Sequence, residues 1–324
     1  MNTETIVKLA ESFAAKKSTL PVLETIAING HLVASNLTTS IVLPVPDDLD
    51  GLEGCYKIGM SVINGGHKAI SYRGHNVYKV CNLDEYPSVH EDKQYENKAN
   101  LYVSSLIPDL ELCIKYASKD DYRYQLNGII FDGANDRLVA SDGHRLVFVS
   151  LEHDLNALMP LDTAKKLLKA LKTVKESHTV HIGKYADLYK IEVKDKQMFE
   201  LFSIIFRSDD CQHPDFDAVT PDSYPIAVRC RIDPIIQLKK LAAKSSEHGK
   251  ALVVFNNGEI TYRLGDARVH LGTYDCGKSI NIALNWAFYL DLPQRYELSY
   301  YDDLRPMVCH EGSTKAIVMP MRFE

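Results

Sequence analysis

The sequence lacks the short motifs that most often mark an enzyme. It contains no glycine-rich phosphate loop, no dinucleotide-binding glycine motif and no nucleophile elbow. Its acidic pairs lie in turn-like stretches, without the histidine or aspartate partners of a two-metal site. We therefore expect no catalytic residue, no cofactor and no bound metal, and the chain is interpreted as a binding protein rather than an enzyme.

Paired cysteines and long apolar runs are also missing. The 7 cysteines are scattered singly and never form a CxxC pair. This spacing argues against a disulfide framework or a zinc site, and for reduced thiols in a cytoplasm. No apolar run approaches the length of a membrane span. The first residues lack the basic start and apolar block of a signal peptide, so we expect a cytoplasmic protein.

The bulk composition is that of a globular protein with more than one domain. The 324 residues are 45% hydrophobic and 25% charged, which allows two or three domains. The net charge of −6 argues against a uniformly basic, nucleic-acid-binding surface. A net charge of −6 is still compatible with a basic face on one part of the molecule.

Self-similarity divides the chain into three parts. Three predicted helices end in a small–small–lysine triplet, at Lys16, Lys119 and Lys244. The segment Leu32–Asn36 (LVASN) returns as Leu138–Asp142 (LVASD), 138 − 32 = 106 residues later. A period near one third of the chain predicts three copies of one module. The modules would span residues 1–98, 99–221 and 222–324, with polar, turn-rich boundaries near Glu96–Asn100 and Pro221–Ser223.

Hydrophobic periodicity predicts helices and short strands in each module. In the first module the predicted helices are Thr3–Lys16 and a shorter one near Met60–Lys68. In the second they are a helix that starts near Pro108 and buries Leu110, Ile114 and Ala117, and Thr163–Glu176 with Asp162 as N-cap. In the third they are Asp233–Lys244 and a short helix near Trp286–Leu292. The predicted strands of the first module are Leu23–Ile28, His31–Ser35, Ser40–Val45 and Val77–Cys81.

The middle module contains three predicted strands joined by two turns. Apolar runs at Ile129–Phe131, Leu138–Val139 and Leu146–Phe148 alternate with turn clusters at Asp132–Asp136 and Ser141–Gly143. His144 follows the second turn and has two interpretations. It is either a general base or a polar residue of a turn that buttresses its neighbours, and the segment alone favours the second.

The lysines concentrate on predicted helix faces, whereas many acidic residues lie in loops. Lys165, Lys169 and Lys172 are spaced at i, i+4 and i+7, on a different face from the leucines of that helix. One interpretation is that these lysines only solvate a helix exterior. The other is a cationic surface that binds duplex nucleic acid through its phosphates, independently of sequence.

Five stretches resemble the bacterial DNA polymerase III beta subunits, the sliding clamps. The C-terminal Ala316–Glu324 (AIVMPMRFE) resembles the end of that family, where MPMR is followed by a hydrophobic residue. Four further stretches match it in order: Ser18–Leu23, Arg123–Gly128, Ser141–Leu146 (SDGHRL) and His213–Phe216 (HPDF). Together they run from near the first residue to the last, and the chain is identified as a compact, divergent relative of a kind that a phage could encode.

The resemblance implies an α+β DNA-clamp fold. Three repeated modules, each with two helices and two small antiparallel sheets, would close head to tail with a second chain into a dimeric ring. The ring would encircle double-stranded DNA without sequence preference. It would hold the replicative polymerase, a clamp loader and other clamp-motif proteins, with no membrane partner.

The resemblance also implies site residues. A partner-peptide pocket between the second and third modules would include Leu126, Ser141, Gly143, His144, Arg145, Leu146, Pro214, Val219, Asn285, Phe288, Ile317, Val318, Met319, Pro320, Met321, Arg322 and Phe323. In that pocket Arg145 and Arg322 would pair with acidic groups, and His144 would be a wall rather than a base. DNA contacts would come from Lys16, Lys17, Lys115, Lys119, Arg123, Tyr124, Lys165, Lys169, Lys172, Lys240, Lys244 and Lys250, and the ring interface from Tyr78 and Val80.

The sequence departs from the family in places that bear on these expectations. Ala218 stands where the family commonly has arginine, and Glu324 extends past the usual last residue. Lys244 and Ser245 replace an apolar pair that often helps to close the ring. An alternative function is therefore a clamp homologue that does not close a ring and acts as a decoy for clamp-binding peptides.

Overall fold

The structure is a computed structural model that describes two compact units. The described residues are 1–58, 70–72, 75–90, 92–208, 213–220, 226–232, 251–275, 277, 280–292, 297–302 and 304–322. The first unit comprises Met1–Glu111, Phe131–Asn135 and Glu152–Cys211, and the second comprises Leu112–Ile130, Asp136–Leu151 and Gln212–Glu324. None of the described helices is both long enough and apolar enough to span a membrane.

The described residues form four α-helices. They are α1 (Thr3–Glu11), α2 (Val103–Tyr116), α3 (Leu161–Leu171) and α4 (Trp286–Leu290). The short α4 confirms the helix predicted near Trp286, and Trp286 is a core residue at 1% exposure. The helices predicted at Met60–Lys68 and Asp233–Lys244 fall outside the described residues.

The boundaries predicted for the three longer helices were wrong, for local reasons. The first helix ends at Glu11 rather than Lys16, and Ser12 is its C-cap, with a hydroxyl that donates to the Leu9 carbonyl. The third begins at Leu161, so Asp162 is a first-turn residue that pairs with Lys166 (2.9 Å) instead of an N-cap.

Helix α2 begins well before Pro108, which lies inside it. Its first amides are satisfied by distant backbone, since Val103 and Ser104 donate to the carbonyls of His178 and Glu176. Because this cap comes from another part of the chain, the sequence around Val103 contains no pattern that predicts the helix start. Of the three residues predicted to be buried here, Leu110 and Ala117 are buried and Ile114 is half-buried.

Twenty-two strands are described. They are β1 (Ile26–Ile28), β2 (His31–Ser35), β3 (Thr39–Pro44), β4 (Gly54–Ile58), β5 (Ile70–Tyr72), β6 (His75–Cys81), β7 (Glu96–Tyr102), β8 (Gly128–Asp132), β9 (Arg137–Ser141), β10 (Arg145–Ser150), β11 (Asn156–Pro160), β12 (Thr179–Tyr185), β13 (Leu188–Lys194), β14 (Glu200–Arg207), β15 (Ile226–Ile232), β16 (Leu252–Asn256), β17 (Glu259–Leu264), β18 (Ala267–Asp275), β19 (Asn281–Asn285), β20 (Glu297–Tyr300), β21 (Met307–Glu311) and β22 (Thr314–Val318).

The first unit is built on one antiparallel sheet. Its strand order is β5-β6-β4-β1-β2-β3-β14-β13-β12-β7. Strands that were expected to form separate small sheets are joined here by the pairing of β3 with β14. Helix α1 packs on β2 and β3, and the core includes Phe13, Leu32, Ile41 and Phe202.

The second unit contains a second antiparallel sheet. From β9 onwards its order is β9-β10-β22-β21-β20-β15-β18-β17-β16-β19. The pairing of β10 with β22 brings the middle of the chain beside its C-terminal strand. Trp286 packs edge-on against Tyr262 (ring centroids 4.9 Å apart) and stacks on Tyr289. Helix α4 thereby covers β16 and β19.

The strands confirm the internal echo, whereas the three-module division stays a prediction. LVASN and LVASD are each the end of a strand, β2 and β9, followed by a tight turn and a partner strand. The first predicted boundary is not a polar loop, because residues 96–102 form β7 and pair with β12. The second predicted boundary, at Pro221–Ser223, lies outside the described residues.

Candidate functional site

The turn between β9 and β10, residues Ser141–Arg145, forms one wall of a candidate site. The Ser141 hydroxyl accepts the Gly143 amide (3.1 Å) and donates to the Arg145 carbonyl (2.8 Å). Asp142 Oδ1 accepts the amides of His144 and Arg145, both at 3.0 Å. Hydrogen bonds from the Ser141 and Asp142 side chains therefore stabilise the turn without help from any other segment.

Glycine suits the centre of this turn. Its φ of +87° lies in the left-handed region that glycine adopts without strain. A Cβ at this position would stand 2.6 Å from Nη1 of Arg123. That guanidinium crosses the turn and donates to the Asp142 carbonyl (2.8 Å).

Arg145 ties the turn to two other segments of the second unit. Its Nε donates to Asp142 (2.9 Å), its Nη1 to Asp291 (2.6 Å) and its Nη2 to the Lys115 carbonyl (2.5 Å). The guanidinium also lies over the rings of Tyr116 (4.9 Å) and Phe288 (4.5 Å). With 9% of its side chain exposed, Arg145 is occupied by partners within the chain rather than presented to a ligand.

A second turn, residues 214–220, faces the first. Asp215 Oδ1 accepts the amides of Asp217 and Ala218 (both 3.1 Å), which fixes the turn. Arg137 donates two hydrogen bonds to Asp217 (2.9 and 2.7 Å) and anchors it to β9. These hydrogen bonds lower the pKa of the Asp217 carboxyl. Phe216 is buried, whereas Val219 is 53% exposed.

Strand β22 supplies the third wall. It pairs with β10 so that Ile317 lies opposite Leu146, and the Met319 amide donates to the His144 carbonyl (3.0 Å). Successive side chains of a strand point to opposite faces. Ile317 and Met319 therefore face the site, and Val318 between them points into the opposite side of the sheet.

The three walls enclose an apolar groove of about 190 Å³. Its lining residues are Leu126, Ser141, Gly143, His144, Arg145, Leu146, Pro214, Asp215, Phe216, Val219, Ile317 and Met319. A concave apolar surface of this size, rimmed by a few polar groups, suits one or two apolar side chains of a ligand. These twelve residues form the groove.

The groove brings together ten of the residues expected to form a peptide pocket. Three of the other seven have contacts elsewhere in the second unit: Asn285 caps α4 by accepting the Ala287 amide, Phe288 stacks on His144, and the Met321 amide donates to the Ala283 carbonyl. Val318, Pro320 and Arg322 do not line the groove, and Phe323 is outside the described residues. The sequence reasoning missed Asp215 and Phe216 as lining residues, although both belong to the HPDF motif.

His144 is placed as a wall of the groove. Its imidazole stacks on Phe288 with ring centroids 6.3 Å apart. Within the described residues its ring makes no hydrogen bond to another side chain. The described residues also contain no cluster of histidine, cysteine and carboxylate groups that could hold a metal.

The predicted DNA-contact residues that are described lie on exposed surface. In the first unit these are Lys16, Lys17, Lys165, Lys169 and Lys172, and in the second unit Lys115, Lys119, Arg123 and Tyr124. Lys165 and Lys169 make no ion pair within the described chain, whereas Lys172 pairs with Glu111 (2.6 Å). Lys240, Lys244 and Lys250 lie outside the described residues.

The residues predicted for a ring interface belong to a strand near the edge of the first sheet. Tyr78 and Val80 are both in β6, which is flanked by the edge strand β5. Their role in an interface stays a prediction.

Comparison with solved structures assigns the fold. No protein-family model and no curated protein matches the sequence. The DNA polymerase III beta subunit of Thermotoga maritima is similar with a TM-score of 0.79 and 20% identity, over 99% of this chain and 97% of that one. The beta sliding clamp of C. crescentus has a TM-score of 0.78 and 18% identity, over 98% and 96%. A sliding clamp of Bartonella birtlesii bound to griselimycin has the same values.

These similarities extend over nearly the whole chain and define its class: the fold is a DNA-clamp fold. More narrowly, it is the fold of the bacterial DNA polymerase III beta subunits, which confirms the α+β clamp expectation.

Proposed function

We propose that this chain is a DNA polymerase processivity factor, a sliding clamp that encircles duplex DNA. It tethers a replicative polymerase and other replication or repair proteins through short peptides bound in the groove. The groove carries this proposal, because its three walls are held by hydrogen bonds within the chain and it opens apolar side chains to solvent. Such a preformed site binds a linear peptide with little reorganisation.

Peptide binding is tested by placing a charge in the groove. In Val219→Asp, a carboxylate replaces an apolar group that is 53% exposed at the groove wall. We expect affinity for a fluorescent peptide from the clamp-binding segment of a replicative polymerase to fall at least about tenfold, because an apolar contact is replaced by a charge that must be desolvated. Leu304→Asp, at a residue of the same unit that is 86% exposed, is the matched control. Equal affinities for the two variants would contradict a peptide site in the groove.

DNA contact is tested on helix α3. We expect Lys165→Gln combined with Lys169→Gln to reduce the slope of log K against log salt by about 1.8, the value for two lost phosphate contacts. The control combines Lys8→Gln with Lys93→Gln, two lysines of the same unit that already pair with Glu4 and Asp92. An unchanged slope for the α3 variant would remove these lysines from the proposed DNA surface.

Ring closure is tested by the mass in solution. The proposal is supported by strand β18, whose residues 267–270 are all exposed. Along residues 267–271 its second edge is unpaired within the described chain, since β15 pairs only with residues 272–275. Such an edge accepts a strand from another copy. Light scattering across a concentration series is expected to give twice 36.5 kDa. A mass of one chain throughout would favour the decoy function.

A further inference from the structure

Two cysteines of the first unit face each other across a pair of antiparallel strands. Cys55 in β4 and Cys81 in β6 are directly opposed in the strand register, and both are reduced. Opposed residues of antiparallel strands have Cα atoms about 4.5–5.5 Å apart, which lies within the range that a disulfide spans. The pair lies next to a β-bulge between Cys55 and Tyr56, and the register places the two residues within reach of each other.

The two thiols are also in contact. Burial, followed by a hydrogen bond with Cys81, raises the pKa of the Cys55 thiol to about 12. The Cys55 sulfur additionally approaches the Asn82 carbonyl at 3.4 Å. Register and side-chain contact thus agree that both sulfurs lie on the same side of the sheet.

Access from solvent differs between the two residues. Cys55 is fully buried, whereas Cys81 is half-buried at the end of its strand. A dissolved oxidant therefore meets Cys81 first, and Cys55 is positioned to react only with what has formed on Cys81. The difference in exposure therefore makes Cys81 the thiol that attacks the oxidant and Cys55 the thiol that resolves the mixed disulfide.

We propose that Cys55 and Cys81 are a modification site that closes into an intrachain disulfide. With oxidised glutathione as the oxidant, the Cys81 thiolate attacks one glutathione sulfur, forms a mixed disulfide and releases one glutathione thiolate. Cys55 then loses its proton to solvent and attacks the Cys81 sulfur, which expels the second glutathione. Two cysteine thiols are oxidised and one glutathione disulfide is reduced to two thiols.

The bond would join β4 to the strand that carries Tyr78 and Val80, the residues expected at the ring interface. It would therefore fix the edge region β5-β6-β4 in one register, in the part of the first unit that faces a second chain if the ring closes. The chemistry itself does not depend on the proposed function.

The experiment is disulfide mapping of the full-length protein after incubation with oxidised glutathione. Samples are quenched in acid, alkylated after unfolding and digested without reduction. We expect a peptide pair linked through Cys55 and Cys81, with these two residues protected from alkylation. A wild-type protein that keeps glutathione on Cys81 while Cys55 remains alkylatable would overturn the proposal, as would an unmodified Cys81.

Two variants and a pH series distinguish the roles of the two thiols. In Cys55→Ala the mixed disulfide is expected to accumulate on Cys81, and in Cys81→Ser the buried Cys55 is expected to stay unmodified. In the wild type, conversion of adduct to disulfide is expected to accelerate about tenfold per pH unit in the alkaline range, as the Cys55 thiolate fraction grows. If a variant does not fold, the wild-type disulfide mapping and its pH series are sufficient to test the proposal. A rate of conversion from adduct to disulfide that does not depend on pH would argue against Cys55 as the resolving thiol.

Discussion

Two turns of the molecule, Ser35–Thr39 in the first unit and Ser141–Arg145 in the second, have the same local construction. In each, the hydroxyl of the first residue accepts the amide of the third residue, at 3.0 and 3.1 Å. In each, the side-chain oxygen of the second residue accepts the amides of the fourth and fifth residues. The echo LVASN and LVASD thus repeats a complete strand-and-turn geometry.

The turns differ at their fifth residue, and this difference determines what each turn does. In the first unit it is Thr39, whose hydroxyl forms a buried hydrogen bond with Thr163 of α3. In the second it is Arg145, which reaches Asp291 and the Lys115 carbonyl. The short Thr39 side chain attaches its turn to helix α3 alone. The longer Arg145 side chain connects its turn to two other segments, and the groove lies beside them. The repeat supplies the scaffold, and one side chain determines whether a site forms.

The Arg145 guanidinium is the contact on which the second turn depends most. Arg145→Met keeps the apolar stem but leaves Asp142 and Asp291 without their partner in a half-buried setting. We expect the free energy of unfolding in urea to fall by about 3 kcal/mol, because uncompensated carboxylates remain. Peptide affinity should fall with it by at least about tenfold, since the turn that forms the groove wall is released.

The control for this variant is an arginine in an exposed pair. Arg207→Met breaks a contact with Asp187 in which both side chains are more than half exposed, and we expect a loss below about 1 kcal/mol. Similar losses for the two variants would mean that Arg145 is only another surface cation.

A smaller effect is expected at the centre of the second turn. Gly143→Ala places a Cβ at a φ of +87° and against the Arg123 guanidinium, which must give up its bond to the Asp142 carbonyl. Left-handed strain and the lost hydrogen bond should together reduce the unfolding free energy by about 2 kcal/mol. Gly265→Ala is the control, because its φ is +55° with no atom within 4 Å, so only the strain remains. Equal losses would show that Arg123 does not brace the turn.

The hydroxyl pair of the first turn is best tested by a double-mutant cycle. Thr39→Val or Thr163→Val alone leaves one buried hydroxyl without its partner and is expected to reduce the unfolding free energy by about 1.5 kcal/mol. The double variant should cost less than the sum of the single variants, since both polar groups are gone and the shape is kept. Strict additivity would indicate that the two hydroxyls do not interact.

The sequence predicted the two turns better than it predicted the contacts around them. Both hairpins follow from alternating apolar residues that flank a Ser-Asn or Ser-Asp-Gly cluster, which is a local pattern. The partners of Arg145 are not local, because Asp291 is 146 residues away along the chain. The start of α2 escaped prediction for the same reason, since its cap comes from the carbonyls of Glu176 and His178.

The candidate site could be predicted in large part, with informative gaps. The motif SDGHRL and the C-terminal stretch pointed to ten groove residues through resemblance, and strand alternation explains why Val318 is not among them. The sequence alone could have indicated Asp215. An aspartate often stabilises a turn by accepting the amides of the residues two and three positions later, as Asp215 does with Asp217 and Ala218. No such pattern in the nearby sequence indicated that Arg145 binds Asp142 and Asp291 within the chain.

The third residue of each turn has a positive φ, but only the second turn has glycine there. Leu37 holds a φ of +74° where the second turn has Gly143, and its side chain is 61% exposed, so it contributes little packing. Leu37→Gly relieves left-handed strain of about 1–2 kcal/mol against an entropic cost of about 0.5–1 kcal/mol. We therefore expect the unfolding free energy to rise by about 0.5 kcal/mol, read from paired urea curves. A loss of stability would mean that Leu37 makes a contact worth more than its strain, and that the two turns are less alike than their hydrogen bonds indicate.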